Sequence, residues 1–150
     1  VAADIAERPL QCAAEMGADE TINLATAPER MEPYKRDKGQ FDAVFEASGS
    51  EAALRLALDV IAPRGVLVTV GMGGDISLPM TQLVAKEIDL RGTFRFHPEF
   101  ATAVRFLNDG LVDGSPVITS VLPLHRAVEA FDLAADKRQS LKVQIGRAHV

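Results

Sequence analysis

Short apolar runs alternate along this chain with segments whose apolar residues recur every three or four positions. Val1, Ala2 and Ala3 form a brief apolar opening closed by Asp4. Over residues 7–16, Leu10, Ala13 and Ala14 share one face and predict a helix. Pro9 suits its first turn, where a missing N–H loses nothing, and Gly17 is its cap. Residues 20–24 predict a short strand. Residues 25–40 are polar, hold two prolines, and predict a loop with at most one helical turn. Residues 41–47 form a nearly continuous apolar run broken by Asp42 and Glu46, which suits a strand buried on both faces of a parallel sheet. Ser50 is placed to cap a second helix, with Glu51 in its first turn. Leu54, Ala57, Leu58 and Ile61 recur at helical spacing, and Pro63-Arg64-Gly65 is expected to stop that helix. Residues 66–70 predict a third apolar strand ending at Gly71.

Beyond Gly71 the rhythm changes. Gly73-Gly74-Asp75 is a turn. Residues 76–78 predict a short strand, 81–87 a short helix and 88–96 a strand broken by His97-Pro98. Phe100, Ala103, Val104 and Leu107 give an amphipathic helix closed by Gly110. Residues 117–124 are extended. A helix through Val128, Phe131 and Ala134 follows, then a half-buried strand in which Leu141, Val143 and Ile145 alternate with Lys142 and Gln144. Residues 146–150 carry no packing pattern and are expected to be a frayed tail or a cloning remnant. Strands alternating with helices argue for βαβ units, a parallel sheet and the α/β class.

Composition narrows the function classes. The 150 residues are 47% hydrophobic and 25% charged with net charge −5, ordinary for a globular domain. Arg30, Lys35, Arg36 and Lys38 are interleaved with Glu29, Glu32 and Asp37, which makes a solvated face and no nucleic-acid surface. No apolar run reaches the ~20 residues of a membrane span. No leader pattern is expected, because Asp4 and mixed charges follow the first three residues at once. The single cysteine, Cys12, excludes an internal disulfide and fits a reducing cytoplasm; among helical alanines it reads as a packing residue.

The sharpest candidate is Asp4. An acidic residue at the end of the second strand of a dinucleotide-binding sheet accepts hydrogen bonds from both adenosine-ribose hydroxyls. It repels a 2′-phosphate and so favours NAD over NADP. The glycine loop for the pyrophosphate belongs about 20 residues earlier, for which residue 4 leaves no room. The plainer alternative is a cap for the helix that follows. Arg8 is close enough to reach the adenosine end, or is an exposed arginine at a helix start. Ala47-Ser48-Gly49 and Val70-Gly71-Met72 each follow a buried strand, where ligands of open α/β sheets bind; each is otherwise a plain turn. Thr93-Phe94-Arg95 closes the next strand, and Arg95 either binds an anionic oxygen or pairs at the surface. His97, His125 and His149 have no metal-site spacing, and one cysteine builds no thiolate cluster. Ala47-Ser48-Gly49-Ser50 lacks the spacing of a nucleophile elbow. No catalytic acid, base or nucleophile stands out.

In order and spacing, these elements resemble the C-terminal part of zinc-dependent medium-chain dehydrogenases, in the polyol and sugar-acid branch of sorbitol and L-idonate dehydrogenases. The resemblance rests on Asp4, Glu15-Met16-Gly17-Ala18-Asp19, residues 41–49, Gly65 to Gly71, Arg91-Gly92-Thr93-Phe94-Arg95-Phe96 and Lys142-Val143-Gln144-Ile145. It implies a partial Rossmann fold, a doubly wound parallel sheet lacking its first βα unit, over residues 1–97. Residues 98–145 would be the C-terminal segment of a GroES-like catalytic domain. It implies that Asp4 holds the adenosine ribose, with Ala47 to Gly49 on the same side of the groove. Val70, Gly71, Met72, Thr93, Phe94 and Arg95 would line the nicotinamide side, Arg95 near the substrate. It further implies NAD, a polyol or sugar-acid substrate, a homo-oligomer paired near residues 76–78 and 88–96, and catalytic zinc held by ligands absent from these residues. The 150 residues alone are therefore expected to be an inactive part of a dehydrogenase. A non-enzymatic nucleotide-binding or dimerisation module is the alternative. A methyltransferase also ends its second strand on an acidic ribose ligand, but fits the chain after Gly71 less well.

Overall fold

A computed structural model describes residues 1–136 and 139–146. The chain divides into two compact units, Val1–Pro28 with His97–Val150, and Glu29–Phe96. Strands β1 (Ala2–Asp4) and β2 (Thr21–Asn23) flank helix α1 (Glu7–Glu15) in the first unit. Its remaining elements are α4 (Glu99–Asn108), β6 (Ile118–Pro123), α5 (Ala127–Ala135) and β7 (Lys142–Gly146). The second unit holds β3 (Phe41–Glu46), α2 (Glu51–Val60), β4 (Ile61–Thr69), α3 (Met80–Ala85) and β5 (Asp89–Gly92). Pro28–Lys38 forms 3-10 turns kinked at Arg36 and Asp37, more helix than the polar loop the sequence suggests.

Every strand pair is parallel: β1 with β2, β3 with β4, β4 with β5, and β6 with β7. A doubly wound sheet runs in strand order 3-2-1-4-5-6. Without strand 1 that order leaves a pair and a triplet, as β2-β1 and β3-β4-β5 are here. The α/β class and the incomplete Rossmann sheet are therefore as expected.

In the second unit the core lies between α2 and the three-stranded sheet. Leu54, Ala57 and Leu58 pack with Ile61, Leu67 and Ile88, and Leu58, Ile61 and Leu67 are wholly buried. Ile61 departs from expectation. It has extended backbone, and β4 begins with it, paired with Phe41. The helix thus ends at Val60, before Pro63-Arg64-Gly65, and that turn becomes an irregularity within β4: Phe41 pairs with Ile61 but Ala43 with Val66. Ser50 does occupy the cap position of α2, yet its side chain makes no capping bond. Residues 76–78 do not form a strand; half-buried Ile76 and Leu78 pack against the core instead. The predicted 88–96 strand shortens to β5.

In the first unit, Leu10, Cys12 and Ile22 are buried, so Cys12 is the packing residue expected. Gly17 takes a positive φ of 95° after α1, and Ala18 N–H reaches Ala13 O at 2.9 Å, closing the helix. On α5 the inward face differs from the predicted one. Ala130 is buried, whereas Val128 and Phe131 are 78% and 71% exposed. Val143 is half-buried in β7, but Ile145 is exposed. The expected tail overlaps β7 at Gly146, and residues 147–150 lie outside the described residues.

Candidate functional site

In a parallel sheet all strands deliver their carboxyl ends to one edge, and there the candidate residues of the second unit gather. The last residue of β3, Glu46, ties two of these ends together. Its backbone carbonyl accepts from Val70 N–H at 2.7 Å and Gly71 N–H at 3.0 Å. Its side chain, only 6% exposed, turns back into its own loop. Oε1 accepts from Ser48 N–H (2.8 Å), Ser48 Oγ (2.6 Å) and Gly49 N–H (3.0 Å). Ser48 Oγ in turn accepts from Ser50 N–H at 3.1 Å. A buried carboxylate needs such donors, and turn amides are the nearest supply.

The bond pattern brings two predicted segments into direct backbone contact. A Cβ on Gly71 would fall 2.0 Å from Gly49 N, and one on Gly73 2.1 Å from Gly49 O. Gly49 itself has φ of +70°. No residue with a side chain fits these places, so Ala47-Ser48-Gly49 and Val70-Gly71-Met72 form one floor at the sheet edge. The end of β5 joins it: Thr93 N–H donates to Thr69 O at 3.1 Å. Val70, Met72, Thr93, Phe94 and Arg95 are exposed, and the Arg95 guanidinium lies 5.1 Å from the centre of the Phe94 ring. On β5, the Arg91 guanidinium bonds Asp89, which holds the Asp89 carboxyl below its usual range and raises Arg91.

Asp4 and Arg8 belong to the first unit. Asp4 ends β1 opposite Asn23, half-buried, and its Oδ1 accepts from Ala6 N–H at 2.8 Å. Ala6 is the cap residue of α1 and has no polar side chain, so Asp4 supplies the turn into the helix. Asp4 is therefore not the helix cap weighed from sequence but shapes the turn that precedes the cap, while Oδ2 holds no hydrogen bond among the described residues. Beside it, Asn23 Nδ2 donates to Glu7 Oε2 at 3.2 Å and Asn23 Oδ1 accepts from Ala25 N–H. Arg8 is half-buried on α1.

Among the described residues no three His, Cys, Asp or Glu side chains group to hold a metal. His97 and His125 are exposed, and His149 lies outside the described residues. Sequence reasoning passed over Glu46. A signal was available: a charge interrupting a buried run, one residue before Ala47-Ser48-Gly49, must turn to local donors.

Parallel strands whose glycine-bearing ends share one edge place the chain among the open-sheet α/β proteins. The chain belongs to the family described as zinc-binding dehydrogenase, which matches residues 1–109, and the resemblance seen in sequence holds. It is 42% identical to L-idonate 5-dehydrogenase (NAD(P)(+)) of Escherichia coli K12 over 146 residues, 97% of this chain and 42% of that protein. Rat sorbitol dehydrogenase is 32% identical, with the same two coverages. The crystal structure of the Escherichia coli L-idonate 5-dehydrogenase superposes with a TM-score of 0.90, again over 97% of this chain and 42% of the other. The alcohol dehydrogenase TADH from Thermus sp. ATN1 superposes with a TM-score of 0.80 at 27% identity, covering 98% and 44%. The chain therefore spans under half the length of these relatives.

Proposed function

We propose that these residues are part of an NAD-dependent dehydrogenase that oxidises a secondary alcohol of a polyol or sugar acid. The observation that carries this reading is the 42% identity, across 97% of the chain, to a protein named L-idonate 5-dehydrogenase (NAD(P)(+)). The floor at the ends of β3 and β4 supports it, because bare glycine backbone admits close approach of a cofactor. A bound nicotinamide would supply the hydride acceptor that alcohol oxidation needs. This chain's residues supply binding and orientation. Asp4 accepts from the adenosine-ribose hydroxyls, with Arg8 nearby; Ala47, Ser48 and Gly49 line the ribose side. Val70, Gly71, Met72, Thr93, Phe94 and Arg95 line the nicotinamide side, with Arg95 towards the substrate. The described residues do not offer a zinc ligand set, and in this reading the zinc ligands lie elsewhere in the complete protein.

In the same reading, residues 1–97 are the cofactor domain and 98–145 a segment of the catalytic domain. The complete protein is a cytoplasmic homo-oligomer, and the 150 residues alone turn nothing over. Kinetics of the complete protein with NAD and L-idonate or sorbitol test it; no turnover with any polyol or sugar acid would sink the reading. A second reading, a non-enzymatic nucleotide-binding or dimerisation module, draws on exposed apolar side chains such as Phe45, Val128 and Phe131. Polyol turnover by the complete protein defeats it.

A further inference from the structure

We propose that Glu46 is a positioning residue for the cofactor: its buried carboxylate holds the loop after β3 in the one shape that lets the glycines of the two strand ends meet. The proposal rests on the dinucleotide reading above. Glu46 touches no candidate ligand surface, being only 6% exposed. It acts through Ser48 and Gly49, whose amides both point inward to its carboxylate. Gly49 sits at φ of +70°, a region glycine populates about as readily as negative φ, so other contacts must select it. Its carbonyl and amide lie where a Cβ on Gly73 or Gly71 would clash, so a shift of Gly49 opens the floor. The backbone of Glu46 meanwhile fixes Val70 and Gly71. One residue therefore sets both loops, by its carbonyl on one side and its carboxylate on the other.

What matters in this arrangement is reach more than charge. Glutamine keeps an oxygen at the Oε1 position for three of the four bonds but turns an amide donor towards Gly49 N–H, from which Oε2 accepts at 3.2 Å; aspartate keeps the charge but falls one methylene short. The test compares E46Q and E46D in the complete protein. NADH affinity is read by fluorescence titration, and loop restraint by amide hydrogen exchange at Ser48 and Gly49 without ligand. E46D is expected to weaken NADH about tenfold and to speed exchange at both amides by a similar factor, as loss of a buried hydrogen bond implies. E46Q is expected to lose clearly less than E46D on both readings, since the Oε1 acceptor survives and only the Oε2 bond to Gly49 is lost. KM for NAD should rise in E46D while KM for the alcohol holds, a split that general loosening of the fold would not give. Wild-type NADH affinity in E46D, or equal losses in both variants, overturns the proposal. If wild-type protein binds neither NADH nor NADPH, the dinucleotide reading fails. Exchange at Ser48 and Gly49 then decides the loop restraint alone, and unchanged exchange in E46D overturns that too.

Discussion

Lys86 closes α2 in place of a glycine cap. Its ammonium, on a residue only 7% exposed, donates to Leu58 O (2.5 Å), Asp59 O (3.2 Å) and Ile61 O (3.1 Å) at the end of the helix, and Leu58 O also accepts from Gln82 Nε2 at 3.2 Å. K86M keeps the aliphatic stem but removes this donor from all three, leaving Leu58 O to Gln82 Nε2, and should lower the unfolding free energy by about 1–3 kcal/mol in urea melts. Burial draws the Lys86 pKa below 10.5, with Asp59 opposing. Between the lowered value and 10.5 the unfolded chain then binds more protons than the folded one. Stability therefore grows with rising pH in that window, and the neutral amine still donates two hydrogens. The difference in unfolding free energy between wild type and K86M should widen across that window; a constant difference would contradict the assignment. At Gly71 the constraint is steric. G71A places a Cβ 2.0 Å from Gly49 N, so one loop must move. A loss of about 1–3 kcal/mol is expected from thermal melts, the usual range for overpacking.

At the scale of elements, α2 against the sheet is the keystone of the second unit. Leu58, wholly buried among Leu54, Ile61, Leu67 and Ile88, cannot be truncated without leaving a cavity. L58A should reduce stability by about 2–5 kcal/mol in urea melts, whereas V128A, on an exposed position of α5, should change it by less than about 0.5 kcal/mol. That contrast also marks where the sequence was readable. The periods of α1 and α2 and the apolar run of β4 were legible because each element's own burial imposed them; the run of β3 gave a strand but not the expected burial on both faces, since Ala43 is exposed and Phe45 is 70% exposed. Ile61 was not legible, because it continues the helical period of Leu54 and Leu58 while its backbone pairs with Phe41. Ile76 and Leu78 carry a strand-like pattern but pack as a half-buried loop. Val128 and Phe131 read as an inward face, yet α5 turns Ala130 inward. Of the candidate site, the strand-end segments were visible as small residues after apolar runs. The glycine-to-glycine contact and the hold of Glu46 were not, since both join residues through loop geometry that no period encodes.

Across the whole molecule, the proposed cofactor choice hinges on a single side chain, to which this reading gives two separable jobs. Asp4 Oδ1 makes the turn into α1 by accepting Ala6 N–H, and this needs only an oxygen. The proposed discrimination against a 2′-phosphate needs the negative charge. D4N keeps the first and removes the second, if the amide oxygen takes the Ala6 bond. In the complete protein, wild type should favour NAD over NADP. D4N should then improve the KM for NADP by about tenfold, as removal of one like-charge repulsion implies, and weaken NAD less. Its melting temperature should stay near that of wild type, whereas D4A, which loses the acceptor, should melt lower. Two coenzymes bound equally by wild type would leave Asp4 as a helix-entry residue and nothing more. A preference for NAD that survives in D4N would move the discrimination to another residue, and Arg8 and Asn23, near Asp4 in sequence and across the strand pair, would be the next to replace.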